Sequence, residues 1–546
     1  TGTRFSLISR YAAADDGSSN DGSSEDDSDD ANKFRVVTPT IGRPNFVVLL
    51  LDDADVDLLT DESLTEHFPH LDRLRREGLR FTNFHVTTPL CGPSRMSLLT
   101  GLYPQRSQIR VNDGAVERSR GAAGGTAAAM AAGLARDNLG TRLRQVGMRT
   151  MFVGKYMNNG FVPKVAPGWS DFAATAGANY YDFRVFQNLT KPQGEFLKPH
   201  ASVYRTRYEG NLAVQMLDRE FDRAGRRPFL LFLSQLAPHL PAETSPVMVE
   251  PKQANYGPSL RVPRTADFDE MDVSDKPRAI RQLPRLSTAR VNLMDRIYRD
   301  RIRSVRSVDE QLGRIMAKIG SSDEADRTYV IVTSDNGYSL GHHRFEGKAL
   351  PYERCSNVPL LVWGPGVPEG ASSDQLLSSI DLLPTLVEGA GGGVAGGVDG
   401  ISFLNAWFDP LAAAAAPTRS VALIENIESK SENGRNLPST YVMLRMHDEV
   451  YSEWSNGDRE YYDLAVDPYQ LDNRIAQLGA ADAAAFRTLI HAERGTAATF
   501  NAIESPAVGR SIGPRSTWRG WSEANAGIDD VGLEIRNPRT GRWWSG

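Results

Sequence analysis

Five short apolar runs punctuate the chain, and each ends on residues of a different kind. NFVVLLLDDAD is apolar from Phe46 to Leu51 and stops at Asp52 and Asp53. TMFVGKY (150–156) delivers Lys155, RPFLLFLSQLAPH (227–239) runs on to His239, and RTYVIVTSDNG (327–337) closes with Asp335 and Asn336. The fifth, NVPLLVWGPG (357–366), closes on Gly-Pro-Gly. Runs of this length without polar alternation predict strands covered on both faces, and therefore a mainly parallel sheet between helices. One connecting segment, SVRSVDEQLGRIMAKIG (304–320), spaces Val305, Val308, Leu312, Ile315 and Ile319 along one helical face and stops at a glycine. In open α/β sheets ligands bind at the carboxyl ends of the strands, so the polar groups that follow these runs are expected to converge.

The pattern changes after the glycine-rich GAGGGVAGGVDG (389–400). SVALIEN, STYVMLRM, EVYSEW and REYYDL alternate and are separated by turn-rich pieces such as SNGD, which predicts a small antiparallel sheet. The expected organisation is a large α/β domain over 44–400 and a smaller C-terminal domain with a tail over 401–546. LGAADAAAFRTLIHAERG reads as a helix, and GAAGGTAAAMAAGLA (121–135) as the start of a helix ending near Gln145.

Composition narrows the partners. The chain of 546 residues carries a net charge of −6. The run DDGSSNDGSSEDDSDD (15–30) alone holds eight acidic side chains, so the remainder is close to neutral. That run is too poor in apolar surface to fold, and the segment 1–43 is expected to be disordered. Nucleic acid is excluded as the main partner, because no domain-wide basic excess exists. No apolar run approaches the roughly eighteen residues of a membrane span. The chain begins at Thr1 with neither an initiator methionine nor a signal-peptide pattern, and reads as a processed form or a fragment. Its two cysteines make no disulfide framework, and one sequon, Asn188-Leu189-Thr190, is compatible with secretion.

Taken singly, the strand-end residues have ordinary readings: a carboxylate after a strand caps a helix, Asp335-Asn336-Gly337 makes a turn, Lys155 is a surface lysine and His239 a loop histidine. Taken together, Asp52, Asp53, Asp335 and Asn336 offer hard oxygen atoms that suit Ca²⁺ or Mg²⁺ better than zinc. PLCGPSRMSLLTGLYP (89–104) adds a cysteine at the start of a predicted helix, with Pro93 in the first turn and Gly101 at the far end. Cys91 then sits at the positive helix end, where free amides favour an anion. The alternative is a buried structural cysteine with Ser94 as cap. An unmodified thiolate is a soft partner for a hard cation.

Cys91, Pro93, Ser94, Arg95, Leu98, Thr100 and Gly101 fit the pattern C-x-P-S-R-x-x-L-x-T-G at every fixed position. The chain resembles the sulfatase family from about Asn45 to Asn473. The resemblance implies an alkaline-phosphatase-like fold, and a Cys91 oxidised by a formylglycine-generating maturation enzyme to an aldehyde whose hydrate is the nucleophile. It implies one Ca²⁺, with Mg²⁺ possible, held by Asp52, Asp53, Asp335 and Asn336 with the residue at 91 completing the shell. Arg95 and Lys155 fall where the family stabilises the hydrated aldehyde and the sulfate, His239 where it contacts the ester and its leaving group, and Lys348, in GKALPYE, where a second lysine holds the sulfate. YYDLAVDPYQLDN (461–473) resembles the family's closing Y-D-L-x-x-D-P-x-E-x-x-N segment, with Gln470 or Leu471 in place of the usual acid.

One departure stands out. Many sulfatases read G-K-W-H after the lysine strand, whereas GKYMNN places Met157 at the histidine position, and a thioether accepts no proton. The K-Y-[LM]-N form resembles the glucosamine-6-sulfatase branch. The resemblance leaves Asn158 or a histidine of GHHRF as substitutes, with His343 preferred as a catalytic group and His342 assigned to a solvated loop. The function this implies is hydrolysis of sulfate monoesters on a small molecule or glycan, with a sugar such as N-acetylglucosamine 6-sulfate favoured, in a secreted or otherwise extracytoplasmic protein. The alternatives are an arylsulfatase, a phosphonate or phosphate monoesterase of the same superfamily, and, from a different class, a sulfated-glycan-binding protein without catalysis.

Overall fold

The computed structural model describes residues 43–494, apart from 61, 113–122, 135, 159–163, 242–246, 394–395 and 428–439, together with four short strands beyond residue 499. The acidic run at 15–30 lies outside the described residues.

Ten strands form one sheet. Its centre consists of β1 (Asn45–Leu51), β2 (Arg149–Lys155), β3 (Asp171–Ala176), β4 (Phe229–Ser234) and β5 (Thr328–Ser334). They lie in the order β5-β1-β4-β2-β3, all parallel. The flanks turn antiparallel, with Leu360–Trp363 beside β5 and Arg184–Gln187 beside β3. Four of the five apolar runs are therefore parallel core strands and the fifth pairs antiparallel next to them.

The uninterrupted apolar character of these strands is explained by two cores, one on each sheet face. Val47, Leu49 and Leu51 of β1 point into a layer with α1 (Pro69–Glu77), α3 (Arg205–Phe221) and α4 (Thr288–Gly320), through Leu71, Met216 and Ile302 among others. Phe46, Val48 and Leu50 point the other way, toward α2 (Cys91–Thr100) and α5 (Leu382–Gly389), through Met96, Leu98 and Leu386. Each fully buried Leu, Val or Phe in such a layer contributes about 1.5–3 kcal/mol.

α4 is longer than the periodic segment 304–320, because Met294, Ile297, Tyr298 and Ile302 continue its buried face through an arginine-rich stretch that dilutes the pattern. The single helix expected from 121 to about 145 is broken. Gly125–Ala129 continues into a π-wound turn, Gly133 leaves helical space at φ 138, and Asn138 opens a separate helix, Leu139–Gln145, with a capping box to Thr141.

Ala422–Asn426, Tyr441–Arg445, Glu449–Trp454 and Arg459–Asp463 form the smaller antiparallel sheet. One face packs on α6 (Ala480–Arg494) through Tyr451, Phe486 and Ile490. The other buries Met443, Trp454 and Tyr462 against Phe345, Leu350 and Tyr352, so this sheet backs the loop that carries Lys348. Phe403, Leu404 and Trp407, beyond the expected boundary at 400, pack into the core of the large sheet with Phe46 and Tyr329. Among the described residues no helix is long and apolar enough to cross a membrane.

Candidate active site

Strand register brings the first groups together. β1 and β5 pair with Leu51 opposite Ser334, so the next residues, Asp52–Asp53 and Asp335–Asn336, leave the sheet side by side. The Asp335 N–H bonds Leu51 O at 3.1 Å, and the Asp53 N–H bonds Asp335 Oδ1 at 3.1 Å. Asp53 takes a left-handed conformation, φ 70, which turns the chain away from the strand. β4 lies between β1 and β2; its continuation carries His239, and β2 ends on Lys155. Cys91 is the first residue of α2 and Arg95 lies one turn later on the same side.

The resulting cluster is buried and densely paired. Cys91 Sγ lies 3.4 Å from Asp52 Oδ1 and 3.9 Å from Asp53 Oδ1. Lys348 Nζ donates to Cys91 Sγ at 2.8 Å and to Asp53 Oδ1 at 2.7 Å, and Lys155 Nζ pairs with Asp52 Oδ2 at 2.5 Å. Arg95 Nε bonds Asp335 Oδ2 at 2.7 Å; its Nη1 reaches Ser234 Oγ and Lys155 O, each at 2.7 Å, and its Nη2 lies 3.3 Å from Asp52 Oδ2. His239 is the most open member, with 18% of its side chain exposed and Nε2 3.7 Å from Asp53 Oδ2.

Whether a hard cation fits can be judged from the donors. Ligand atoms of Asp52, Asp53, Cys91 and His239 all lie within 4.8 Å of one another. Asn336 Nδ2 donates to Asp53 Oδ1 at 2.7 Å, while Asn336 Oδ1 is buried without a hydrogen-bond partner among the described residues. An amide oxygen stripped of water and left unpaired is costly, and a hard cation is its natural partner. Carboxylate, amide oxygen and compensating ammonium groups together fit Ca²⁺ or Mg²⁺; softer zinc would prefer more nitrogen and sulfur.

Burial and charge together decide the protonation states. Burial works to raise the carboxyl of Asp52, but Lys155, His239, Arg95 and Lys348 outweigh it and hold the group well below the usual carboxylate range. Asp335 goes the other way, pushed up to about 6 by burial and by the neighbouring Asp52. Burial lowers His239 despite the two carboxylates beside it, which leaves a neutral ring. Burial and Asp52 drive the Cys91 thiol well above its ordinary value. A thiol held protonated is a poor nucleophile, so the cysteine as encoded has little chemistry of its own here.

Cys91, Arg95, Lys155, His239, Lys348, Asp52, Asp53, Asp335 and Asn336 are thus brought together. His343 is engaged elsewhere: its Nδ1 pairs with Glu270 Oε2 at 2.7 Å and its ring stacks on Tyr352, on the wall of a 410 Å³ pocket with Asp57 and Arg354. His342, expected in a solvated loop, is buried at 5% exposure, because it packs against Phe268 where residues 341–345 fold under the 265–270 segment. Met157 is buried in the apolar layer with Trp169. The amides at the start of α2 are not all bare, since Asn112 Oδ1 accepts from Gly92 N at 2.7 Å. Ser94 does not cap the helix: Leu90 occupies that place, with no side-chain cap. Sequence reasoning missed Ser234, which anchors Arg95, and Tyr180, whose hydroxyl donates to His239 O at 2.9 Å. Ser234 had a signal, as the polar residue closing the FLLFLS run; Tyr180 had none.

Comparison with known proteins places the chain in a family. The family described as Sulfatase matches residues 44–392. The chain is 28% identical to the extracellular sulfatase SULF-1 homologue of Drosophila melanogaster, over 66% of this chain and 31% of that protein. It is also 28% identical to the N-acetylglucosamine-6-sulfatase of Capra hircus, over 79% of this chain and 80% of that protein. Against three curated relatives the chain spans 46%, 31% and 56% of their lengths. A structure solved in complex with D-glucosamine-2-N,6-O-disulfate superposes with a TM-score of 0.65 at 21% identity, covering 82% of this chain and 96% of that one. At that identity the likeness speaks for the fold.

Proposed function

The chain belongs to the sulfatase family, and from that premise we propose that it hydrolyses sulfate monoesters at the cluster around Cys91, with a sulfated amino sugar as substrate. The observation that carries the reading is the meeting of Asp52, Asp53 and Asn336 with Lys155, Lys348 and residue 91, from three separate strand ends, a loop and a helix start, within hydrogen-bonding reach of one another. When present, a formylglycine made from Cys91 would supply a hydrated aldehyde as nucleophile, and a Ca²⁺ or Mg²⁺ among Asp52, Asp53, Asp335 and Asn336 would supply positive charge facing the ester.

The remaining roles belong to the chain's own groups. A sulfate ester surrounds sulfur with negative oxygens, and Lys155 and Lys348 are buried ammonium groups preset to neutralise them. Each group of this kind is typically worth about a hundredfold to a thousandfold in rate. Arg95 is 1% exposed and committed to Asp335, Ser234 and Lys155 O, so it orients Asp335 and the end of β2 rather than gripping substrate. His239 is the open member, and an anionic ester beside it favours the protonated ring, which then donates to the departing alcohol oxygen. His343, held by Glu270, takes no part in this reading; Lys348 Nζ, 2.8 Å from the side-chain atom at 91, is the ammonium placed to hold that atom by a hydrogen bond.

The choice of an amino sugar is supported by the Capra hircus relative and by the sugar in the solved structure. An extracytoplasmic location is in keeping with the extracellular relative. The test is to produce the chain together with a formylglycine-generating enzyme and identify residue 91 by peptide mass. The product is then assayed on N-acetylglucosamine 6-sulfate, other sulfated sugars, an aryl sulfate and the matched aryl phosphonate. An aldehyde at 91 and turnover of the amino sugar are expected. Preference for the phosphonate would make the enzyme a phosphonate monoesterase, and binding of sulfated glycans without turnover would make the chain a lectin-like protein.

A further inference from the structure

Arg301 projects from the middle of α4 to the underside of the site and is fully buried. Its Nη2 donates to Asp53 O at 2.7 Å and to Asp55 Oδ2 at 3.0 Å. Its guanidinium lies 5.2 Å from the ring centre of Tyr338, two residues after Asn336. Its Nε and Nη1 are buried without hydrogen-bond partners among the described residues. A buried guanidinium left with unpaired N–H groups is expensive, and an apolar side chain would fill the same core position at less cost. The residue therefore needs an explanation in what its two bonds do.

Those bonds complete a bracket. Asp53 is a non-glycine residue held at φ 70, a conformation that persists only where the surroundings impose it. On the amide side the turn is fixed by Asp53 N to Asp335 Oδ1 and by Ala54 N to Ser334 Oγ. On the carbonyl side Asp53 O receives Arg301. The same guanidinium covers the ring of Tyr338, on the loop that presents Asn336. We infer that Arg301 is a positioning residue for the cation site: it locks the turn 52–55 against the loop 335–338 from below, so that the oxygens of Asp53 and Asn336 face one point.

This rests on the proposed cation reading, and the experiment separates the two. Ca²⁺ binding to the metal-free full chain is measured by calorimetry, with melting temperatures in EDTA and in Ca²⁺, for the wild type, Arg301→Lys, Arg301→Met and Asp55→Ala. Supporting partners of metal ligands are typically worth tenfold to a hundredfold in affinity. Arg301→Met is expected to weaken Ca²⁺ by about that factor. The Ca²⁺ needed for half-maximal turnover should rise equally, while KM for the ester at saturating Ca²⁺ stays put. Arg301→Lys should fall between wild type and Arg301→Met. Should Arg301→Met fail to fold, Asp55→Ala removes one of the two anchors at a partly exposed position and should weaken Ca²⁺ severalfold. Variants that melt lower with and without Ca²⁺ yet bind it as tightly as wild type would show a purely structural arginine and overturn the inference. A wild-type chain that binds no Ca²⁺ overturns the cation reading itself.

Discussion

Gly154→Ala is the substitution that best tests whether the site depends on the end of β2. Gly154 immediately precedes Lys155, sits at φ 108, and pairs with Ser234 in the neighbouring strand. A Cβ built there lies 1.9 Å from Ser234 O, whereas real Cβ contacts essentially never fall below 3.0 Å. Backbone on one side or the other must therefore yield by about 1.1 Å. Both sides carry the site, because Ser234 Oγ and Lys155 O hold Arg95, and Lys155 Nζ holds Asp52 at 2.5 Å. A displacement of about 1 Å at catalytic groups can cost on the order of a hundredfold in rate. The positive φ adds about 1–3 kcal/mol of strain for a residue with a side chain. Gly147→Ala supplies the control: at φ 89 it carries similar strain, but its Cβ meets nothing within 4 Å, and it precedes β2 at the opposite end. Turnover of an aryl sulfate and urea unfolding are measured for both. We expect Gly154→Ala to lose about a hundredfold in kcat and Gly147→Ala to lose stability with unchanged kcat. A folded Gly154→Ala that turns over within threefold of wild type, or a Gly147→Ala equally impaired in kcat, would refute the reasoning.

Two further outcomes are expected. His239→Gln should damage hydrolysis of a sugar sulfate, whose alcohol leaves poorly, by on the order of a hundredfold or more, yet affect an aryl sulfate with an acidic phenol far less; equal losses on both would remove His239 from proton donation. His85 is fully buried, its Nε2–H donates to Asn83 Oδ1 at 2.7 Å, and burial lowers its pKa from 6.5 to about 3. The unfolded chain therefore takes up this proton near its ordinary value while the folded chain refuses it, so stability falls as pH drops through that window. With the unfolded ring half protonated at pH 6.5 and the slope approaching about 1.4 kcal/mol per unit below it, going from pH 6.5 to 4.5 should remove roughly 2.3 kcal/mol through this one residue. Urea unfolding at the two values should show a shallower loss for His85→Gln than for wild type, and parallel losses would show that His85 is not responsible.

Much of this protein was decided locally. Six apolar residues in a row at 46–51 have nowhere to go but a strand with both faces covered, and 45–51 is such a strand. The segment from Cys91 to Gly101 holds its own start, its Pro93 and its αL stop, and α2 spans those residues. Because strand order in an open sheet carries strand ends to one edge, Asp52, Lys155, His239 and Asp335 could be nominated without knowing any pairing. Which partner neutralises which carboxylate was not legible. Lys155 meets Asp52 across 103 positions and Lys348 meets Asp53 across 295; the lateral order of the strands fixes the first distance, and the packing of the 345–352 loop on the smaller sheet fixes the second. The same is true of the residues that sequence periodicity could not weigh. The sequence favoured His343 as a catalytic group, and it carried no sign of the pairing with Glu270 across 73 positions that the fold makes. Arg301 looked like one more charge on an arginine-rich helix until α4 turned it inward, beneath Asp53. Hydrophobic spacing encodes which side of an element faces the core, a short-range property of the chain. Electrostatic pairing is a property of three-dimensional proximity, and it came into being only when the sheet and its loops assembled.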